Sequence, residues 1–329
     1  MVPGASSSDV WPAVGSARRL YRLSIGLATL AVGVLITATA LAMTSVDLGL
    51  PSFSALVEAC RNALLPDLTL PSIAIALLGS LSLAAFALGL RSLVVKKTAQ
   101  RRFLKELRVV DRIDIDGTEV DLVDDDRSLA FCACLLRPRV YLSTGALIAL
   151  DDDELRAVVA HERHHQQRRD PLRLLAAHVL GDALFFLPIL RRLRQRYAAL
   201  AELAADEAAV AAVGDRAFLA SALLTFGDRP DAQVVVGIAP ERVDHLVGAR
   251  VRWKLPVSLL VGAIVTLAGL IALGASAATS SSGAGMSLPF VLAQVCAWTM
   301  TIVPALFGAT LLIASTRRLR AAGVASAAR

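Results

Sequence analysis

A cluster of histidines and carboxylates lies between residues 151 and 170. His161, Glu162 and His165 form the pattern H-E-x-x-H. On a helix, residues four positions apart share one face, so both imidazoles can reach a single ion. A carboxylate beside the first histidine can then act on a water at that ion. The pattern therefore predicts a Zn²⁺ site held by His161 and His165, with Glu162 as the catalytic base.

The helix that must position these side chains has a start and a stop in the sequence. Asp151 and Glu154 form a capping-box-like start, and Asp170-Pro171 supplies the stop. The alternative is a charged surface helix that carries three histidines by chance. On a helical wheel, however, the H-E-x-x-H residues lie on the face of Leu155, Ala157 and Val158, opposite Arg156, Arg163 and Gln167. Ionisable groups on an apolar face need a partner, and a metal ion is one. His164 lies away from this face, and we expect it to contact a ligating residue or solvent rather than bind the ion.

A catalytic zinc site needs a third protein ligand, and Glu202 is the best candidate. It lies in the alanine-rich stretch around residues 201–206, which favours a helix and places Asp206 on the same face. We expect Glu202 to bind the ion and Asp206 to hydrogen-bond one of the ligating imidazoles. The alternative is a solvated helix face. Glu207 is the fallback ligand, but it points about a quarter turn away.

The composition indicates a membrane protein, since 56% of residues are hydrophobic and the mean hydropathy is +0.61. The predicted fold is mainly α, with about four transmembrane helices and a cytosolic α+β zincin-like domain between spans 2 and 3. Four stretches are long and apolar enough to cross a bilayer. The first follows a polar leader without a clear cleavage site, so we expect an uncleaved anchor. The four stretches are residues 23–43, 71–90, 255–277 and 288–314.

Basic residues set the predicted orientation. A basic cluster flanks one end of every span, so all four clusters can lie in the cytoplasm with both termini and the catalytic domain. Topology and anionic headgroups account for the net charge of +6. We expect contact with the lipid bilayer and no direct nucleic-acid binding; the oligomeric state stays open. The clusters are Arg18, Arg19 and Arg22; Arg91, Lys96, Lys97, Arg101 and Arg102; Arg250, Arg252 and Lys254; and Arg317, Arg318 and Arg320.

Five segments follow from this topology. They are a polar and basic leader (1–22), a transmembrane hairpin (23–94), a metallopeptidase domain (95–254), a second hairpin (255–316) and a basic cytosolic tail (317–329).

The apolar segment from Leu172 to Leu190 tests the topology. If it crossed the membrane, His165 and Glu202 would lie on opposite sides, so the metal hypothesis requires it to stay on one side. Gly181 and Pro188 interrupt the segment, which favours a buried helix, a re-entrant hairpin or an interfacial helix. Within it, His178 and Asp182 are spaced four apart, and we interpret them as a satisfied structural pair rather than a site.

Short strands are predicted before the metal helix, at residues 119–122, 129–134 and 140–143. A free strand edge beside a zinc helix can pair with an extended peptide. Residues 131–134 are the candidate edge, and Phe131 and Ala133 are its candidate substrate contacts. The alternative is an ordinary half-buried strand. Cys132 and Cys134 have no second cysteine pair to complete a metal site, and a cytosolic location disfavours a disulfide.

The residues from 130 to 171, together with Glu202 and Asp206, resemble the membrane metallopeptidases of the BlaR/MecR antibiotic-sensor family. The shared stretch includes R-P-R-V-Y-L-S-T-G at 137–145 and E-L-R-A-V-V-A-H-E at 154–162. A more distant resemblance is to the HtpX and CAAX prenyl protease family. The resemblance implies a gluzincin-type fold, with zinc held by His161, His165 and Glu202 and with Glu162 as base. It also implies a later arginine that helps to close the site, for which Arg242 is a weak match.

The antibiotic sensors also carry a large extracytoplasmic penicillin-binding domain, whereas this sequence ends soon after the fourth predicted span. Direct β-lactam sensing is therefore not expected. Three functional interpretations remain. The first is a regulatory zinc endopeptidase that cleaves a cytosolic protein, with a transcriptional repressor as one candidate substrate. The second is a quality-control protease of the HtpX kind. The third is a non-catalytic membrane receptor or scaffold with a degenerate site.

Overall fold

The computed structural model describes residues 13–44, 46–47, 52–54, 57, 70–227, 242, 256–280 and 286–287. Within these ranges the chain is mostly helical, with a small mixed sheet. The predicted fourth span and the basic tail lie outside the described residues, as does most of 228–254. The chain divides into two compact units, residues 1–30 with 85–263 and residues 31–84 with 264–329.

In the part of the chain that the structure describes, three helices are long and apolar enough to cross a membrane: α1 (Ala13–Met43), α2 (Leu70–Glu106) and α8 (Val257–Ser280). They cover the first two predicted spans and residues 257–277 of the third. In the second unit, these helices meet through small side chains, and a Cβ added at Gly274 would lie 2.5 Å from the carbonyl oxygen of Ala38. Small residues at such contacts let membrane helices approach closely. The short strands β1 (Val46–Asp47) and β6 (Met286–Ser287) pair in the same unit.

The first unit contains a four-stranded sheet with the order β2-β3-β5-β4. Its strands are β2 (Val109–Ile115), β3 (Thr118–Val123), β4 (Ala130–Ala133) and β5 (Arg139–Ser143). The three predicted strands are confirmed, and β2 is an additional strand that the sequence pattern did not predict. Its solvent-facing residues give it little hydrophobic alternation, which removes the usual signal for a strand.

Within the described residues 144–227, five helices follow the sheet in chain order: α3 (Thr144–Ala149), α4 (Asp152–Arg168), α5 (Asp170–Ala183), α6 (Pro188–Val213) and α7 (Arg216–Gly227). Helix α4 starts with the predicted capping box, because Asp151 accepts from the Glu154 N–H and Glu154 accepts from the Asp151 N–H. It ends at Arg169, which adopts a left-handed conformation with φ 53°, and Pro171 then lies in the first turn of α5. The predicted start and stop are both confirmed.

The segment from residue 172 to 190 is not a single spanning helix. Helix α5 has 14 residues, and a turn at residues 184–187 reverses the chain into α6. Leu184 and Leu187 in this turn are almost completely buried. The segment therefore forms a helical hairpin, in agreement with the requirement that His165 and Glu202 remain close.

Candidate metal centre

Helices α4 and α6 place the metal-site side chains. Ala157 on α4 and Ala205 and Ala209 on α6 are fully buried, and their methyl groups let the two helix backbones approach closely. His161 and His165 are also buried on α4, whereas Arg156 and Arg163 on its opposite side are exposed. The predicted division of α4 into an apolar and a charged face is confirmed.

Three ligand atoms converge between these helices. His161 Nε2 and His165 Nε2 lie 3.2 Å apart. The carboxylate of Glu202 completes a triangle, with Oε2 at 3.6 Å from His161 Nε2 and Oε1 at 3.6 Å from His165 Nε2. These residues form a group that can hold a metal ion, whereas Glu207 and His164 do not belong to it.

The triangle matches the dimensions of a zinc site. Ligands about 2.0 to 2.1 Å from an ion in a tetrahedral arrangement lie about 3.3 Å from one another. One ligand atom from each residue lies within 4.8 Å of the others, and the shortest separations of 3.2 to 3.6 Å are close to those of a zinc site. Two imidazoles and one carboxylate also leave a fourth position for water, as a catalytic site requires.

Each of the two histidine rings has a carboxylate near its other nitrogen. His165 Nδ1 lies 2.9 Å from Asp170 Oδ2, and His161 Nδ1 lies 3.0 Å from Asp206 Oδ1. At His165 the contact is a hydrogen bond, and a proton on Nδ1 leaves Nε2 free to bind an ion. At His161 the contact with Asp206 has the distance of an ion pair without the angles of a hydrogen bond. The contact of Asp206 was expected, but that of Asp170 was not, because Asp170 had been interpreted only as part of the helix stop. Asp170 lies five residues after His165, so a pattern of residues four positions apart does not include it.

The other carboxylate oxygen of Asp170 also accepts a hydrogen bond. Tyr197 donates from its hydroxyl to Asp170 Oδ1 at 2.8 Å, and both residues are almost completely buried. The Tyr197 ring lies against Tyr21 with centroids 5.2 Å apart, and the Arg173 guanidinium lies over the Tyr21 ring. The sequence offered no signal for this chain of contacts.

Arg242 completes the charged cluster. It donates from Nε to Asp206 Oδ2 at 2.9 Å, and its Nη1 lies 3.3 Å from Glu202 Oε2. Arg242 is 7% exposed and Asp206 is fully buried, so each buried charge has a partner. The weak sequence match at Arg242 thus belongs to the same cluster as the predicted ligands. Arg242 therefore contacts the candidate ligand Glu202 and also Asp206, which lies beside the candidate ligand His161.

The electrostatics of the centre favour a cation. Burial lowers the pKa of His161, but the carboxylates of Asp206 and Glu202 outweigh burial and raise that pKa to about 10. Burial raises the pKa of Glu202, yet His161, His165 and Arg242 bring it down to about 2. The carboxylates therefore stay ionised and attract a positive charge, which a divalent ion can supply in place of the proton on His161.

Two further side chains of α4 lie beside the ligands. Glu162 is half-buried, and its charge raises the pKa of His161 and of Cys132 on β4. His164 is only half-buried, and burial together with the charge of His165 lowers its pKa to about 4. Glu162 is thus a carboxylate near the ligands but outside the ligand group.

Strand β4 lies at an edge of the sheet within the described residues. Gln166 on α4 donates to Pro138 O in the β4–β5 connection at 3.0 Å, which ties the metal helix to this hairpin. Helix α4 also packs directly against β4. The candidate peptide edge and the candidate ligands therefore adjoin.

The register of β4 selects the groups at its free edge. Ser143 N donates to Leu129 O, so these two residues form a hydrogen-bonded pair of the β4–β5 ladder. Along an antiparallel strand, the main-chain N–H and C=O groups of successive residues point alternately toward and away from the partner strand. The main-chain groups of Phe131 and Ala133 therefore point toward β5, and those of Ala130 and Cys132 point outward. The Phe131 ring stacks on Tyr141, with centroids 5.2 Å apart. A peptide paired with this edge would meet Ala130 and Cys132 rather than the two residues expected from the sequence.

The geometry defines a class of site: a helix-borne pair of histidines with a glutamate from a second helix, beside an open strand edge. The model of the BlaR1 peptidase M56 family matches residues 68–248, more than half of the chain. The chain belongs to this family, which is one of membrane peptidases and typically metal-dependent. The predicted resemblance to BlaR/MecR-type peptidases is confirmed. Searches of curated proteins and of solved structures found no match.

Proposed function

We propose that this protein is an integral-membrane zinc endopeptidase that hydrolyses a peptide bond of a protein substrate. The convergence of His161, His165 and Glu202, whose ligand atoms lie within 4.8 Å of one another, carries the proposal. Membership of a peptidase family supports the reaction class. A non-catalytic receptor or scaffold would have no need to hold three ligand atoms at zinc-site spacing against buried, ionised carboxylates.

The chemistry is shared between the ion and the side chains. When bound by His161, His165 and Glu202, Zn²⁺ would supply Lewis acidity toward the scissile carbonyl and toward a water molecule. Glu162 takes the proton of the attacking water and passes it to the leaving amine. Asp170 and Asp206 hold the two imidazoles in the orientation that directs Nε2 into the site. The outward groups of β4 align the substrate chain beside the ligands.

The site faces the cytosol in this proposal, and the substrate is a cytosolic or membrane-bound regulatory protein such as a transcriptional repressor. Basic residues before the apolar part of α1 and after that of α2 support this orientation. The BlaR1 family match favours a regulatory protease over quality control of the HtpX kind. Capture of many unrelated damaged membrane proteins, instead of one regulator, would favour the quality-control function.

The first prediction is that Glu162→Gln abolishes cleavage but leaves zinc content unchanged, because Glu162 lies outside the ligand group. Loss of the base should slow the reaction by more than about 100-fold. Purified membrane protein is assayed for bound zinc and for cleavage of substrate, and the inactive variant also serves to trap that substrate. Glu119→Gln is the matched control, since Glu119 is exposed on β3. Zinc loss in Glu162→Gln, or retained cleavage, would contradict the assigned role.

A further inference from the structure

A cavity lies against helix α2. The cavity measures about 330 Å³ and none of its lining residues belongs to the metal group. Close approach of the helices beside it depends on Gly89, where an added Cβ would lie 3.0 Å from the Ala183 methyl group. The lining residues are Leu88, Arg91, Ser92, Val95 and Lys96 on α2, Asp182 on α5, Phe185 in the turn, and Arg191 on α6.

The cavity has an excess of positive charge. Arg91, Lys96 and Arg191 line it and are exposed, and among the described residues none of them lies within 4.0 Å of a carboxylate oxygen. Among the described lining residues, Asp182 is the one carboxylate, and it already accepts a hydrogen bond from Ser92 Oγ at 2.7 Å. Asp182 also lies 3.9 Å from Arg194, a fourth cation nearby. An anion entering the cavity would therefore meet three cations and one carboxylate that is already partnered.

The cavity also lies at the end of the apolar part of α2. This 37-residue helix is about 55 Å long at 1.5 Å per residue, well beyond the roughly 30 Å of a hydrocarbon core. Its side chains are predominantly apolar up to Leu90, and Arg91 begins its basic part. Where such a helix crosses a bilayer, this change falls at the level of the lipid phosphates. Leu88, Val95 and Phe185 give the cavity an apolar wall beside its cations.

We propose that this cavity binds the phosphate-bearing headgroup of an anionic membrane lipid. Arg91, Lys96 and Arg191 surround the phosphate, and the apolar wall contacts the glycerol end of the acyl chains. Basic pockets between membrane helices suit such headgroups. A choline lipid also carries a phosphate, but its quaternary ammonium meets the same cations and is disfavoured. The site is independent of the proposed peptidase reaction.

The test measures lipid binding to the full-length protein in detergent by native mass spectrometry, with phosphatidylglycerol, phosphatidylcholine and inorganic phosphate as separate probes. The cavity variant is Arg91→Gln with Arg191→Gln. Its matched control is Lys97→Gln with Arg192→Gln, which removes one charge from each of the same two helices outside the cavity. Asp182→Asn is a third variant, which removes the one carboxylate that opposes an anion. Thermal unfolding checks that each variant is folded.

Wild-type protein should bind phosphatidylglycerol in preference to phosphatidylcholine. We expect the cavity variant to weaken this binding about 30-fold and the control variant less than about threefold. Asp182→Asn should tighten binding about fivefold, a gain that a folding defect cannot produce. Equal losses in the two double variants would overturn the proposal in favour of general surface attraction. Inorganic phosphate binding as tightly as the lipid would overturn the lipid assignment, and weaker binding by Asp182→Asn would contradict the charge balance.

Discussion

Helices α4 and α5 both carry ionisable residues four positions apart, with different outcomes. On α4, His161 and His165 both direct Nε2 toward Glu202, and each has a carboxylate at Nδ1. On α5, His178 Nδ1 contacts the carbonyl oxygen of Leu174 in its own helix, and Asp182 accepts from Ser92 on α2. Spacing along a helix places two residues on one face, but a second helix with a facing carboxylate makes that face a candidate metal site.

The charges around the histidines of the two helices also have opposite signs, negative at His161 and mainly positive at His178. Carboxylates raise the pKa of His161 to about 10 despite its burial. Burial lowers the pKa of His178, and the charges of Arg194 and Lys96 lower it further. An imidazole among carboxylates is in a setting that attracts a cation, whereas one among cations is in a setting that repels it.

The largest difference between the two helices is expected for histidine replacement. His165→Gln removes one of three ligands and should weaken zinc binding by more than about 100-fold. His178→Gln is the matched control on α5 and should change zinc affinity by less than about twofold. Competition with a fluorescent chelator measures both affinities. Equal effects of the two substitutions would remove the distinction between the helices.

The opposite charges around the two histidines predict a pH dependence. His161 is protonated in the metal-free protein below pH about 10, and a ligating imidazole must be neutral. Zinc therefore displaces a proton, and affinity should rise about tenfold per pH unit between pH 6 and 9. Calorimetry at pH 7 in buffers of different ionisation enthalpy should show about one proton released per zinc. The same release is expected in His178→Gln, and its absence from wild-type protein would contradict the assigned charge on His161.

A smaller loss of zinc affinity is expected when Asp170 on α5 is replaced. In Asp170→Asn, the amide can accept from His165 or from Tyr197, but its NH₂ group opposes the remaining donor. Zinc affinity should fall about 10- to 100-fold. Asp182→Asn on the same helix is the control and should leave zinc affinity unchanged. A loss in both variants would indicate a general effect of α5 charge instead of the contact with His165.

The smallest effect is expected at Tyr197. Tyr197→Phe keeps the buried ring and removes only the hydroxyl that donates to Asp170. We expect zinc affinity to fall about three- to tenfold, because one hydrogen bond to a charged group is lost. Metal affinity and thermal unfolding of the metal-free protein are measured together. A lower melting temperature with unchanged zinc affinity would show that Tyr197 stabilises the fold without positioning His165.

Much of this architecture could be predicted from local patterns. Apolar length identified the helices α1, α2 and α8, and the capping box located the start of α4. The H-E-x-x-H spacing identified the buried face of α4, since a helix repeats every 3.6 residues. Strand β2 was missed because five of its seven residues are exposed and its apolar alternation is confined to Ile113-Asp114-Ile115.

The sequence by itself determined which residues share a face, where α4 begins and ends, and that His161, His165 and Glu202 were the residues to examine. Only the tertiary structure decided that Asp170 contacts both His165 and Tyr197. It alone also decided that Arg242 contacts both Asp206 and Glu202. It also decided which main-chain groups of β4 face outward. Periodicity reports neighbours along one element, whereas these contacts join residues of different elements, whose approach depends on how buried side chains pack.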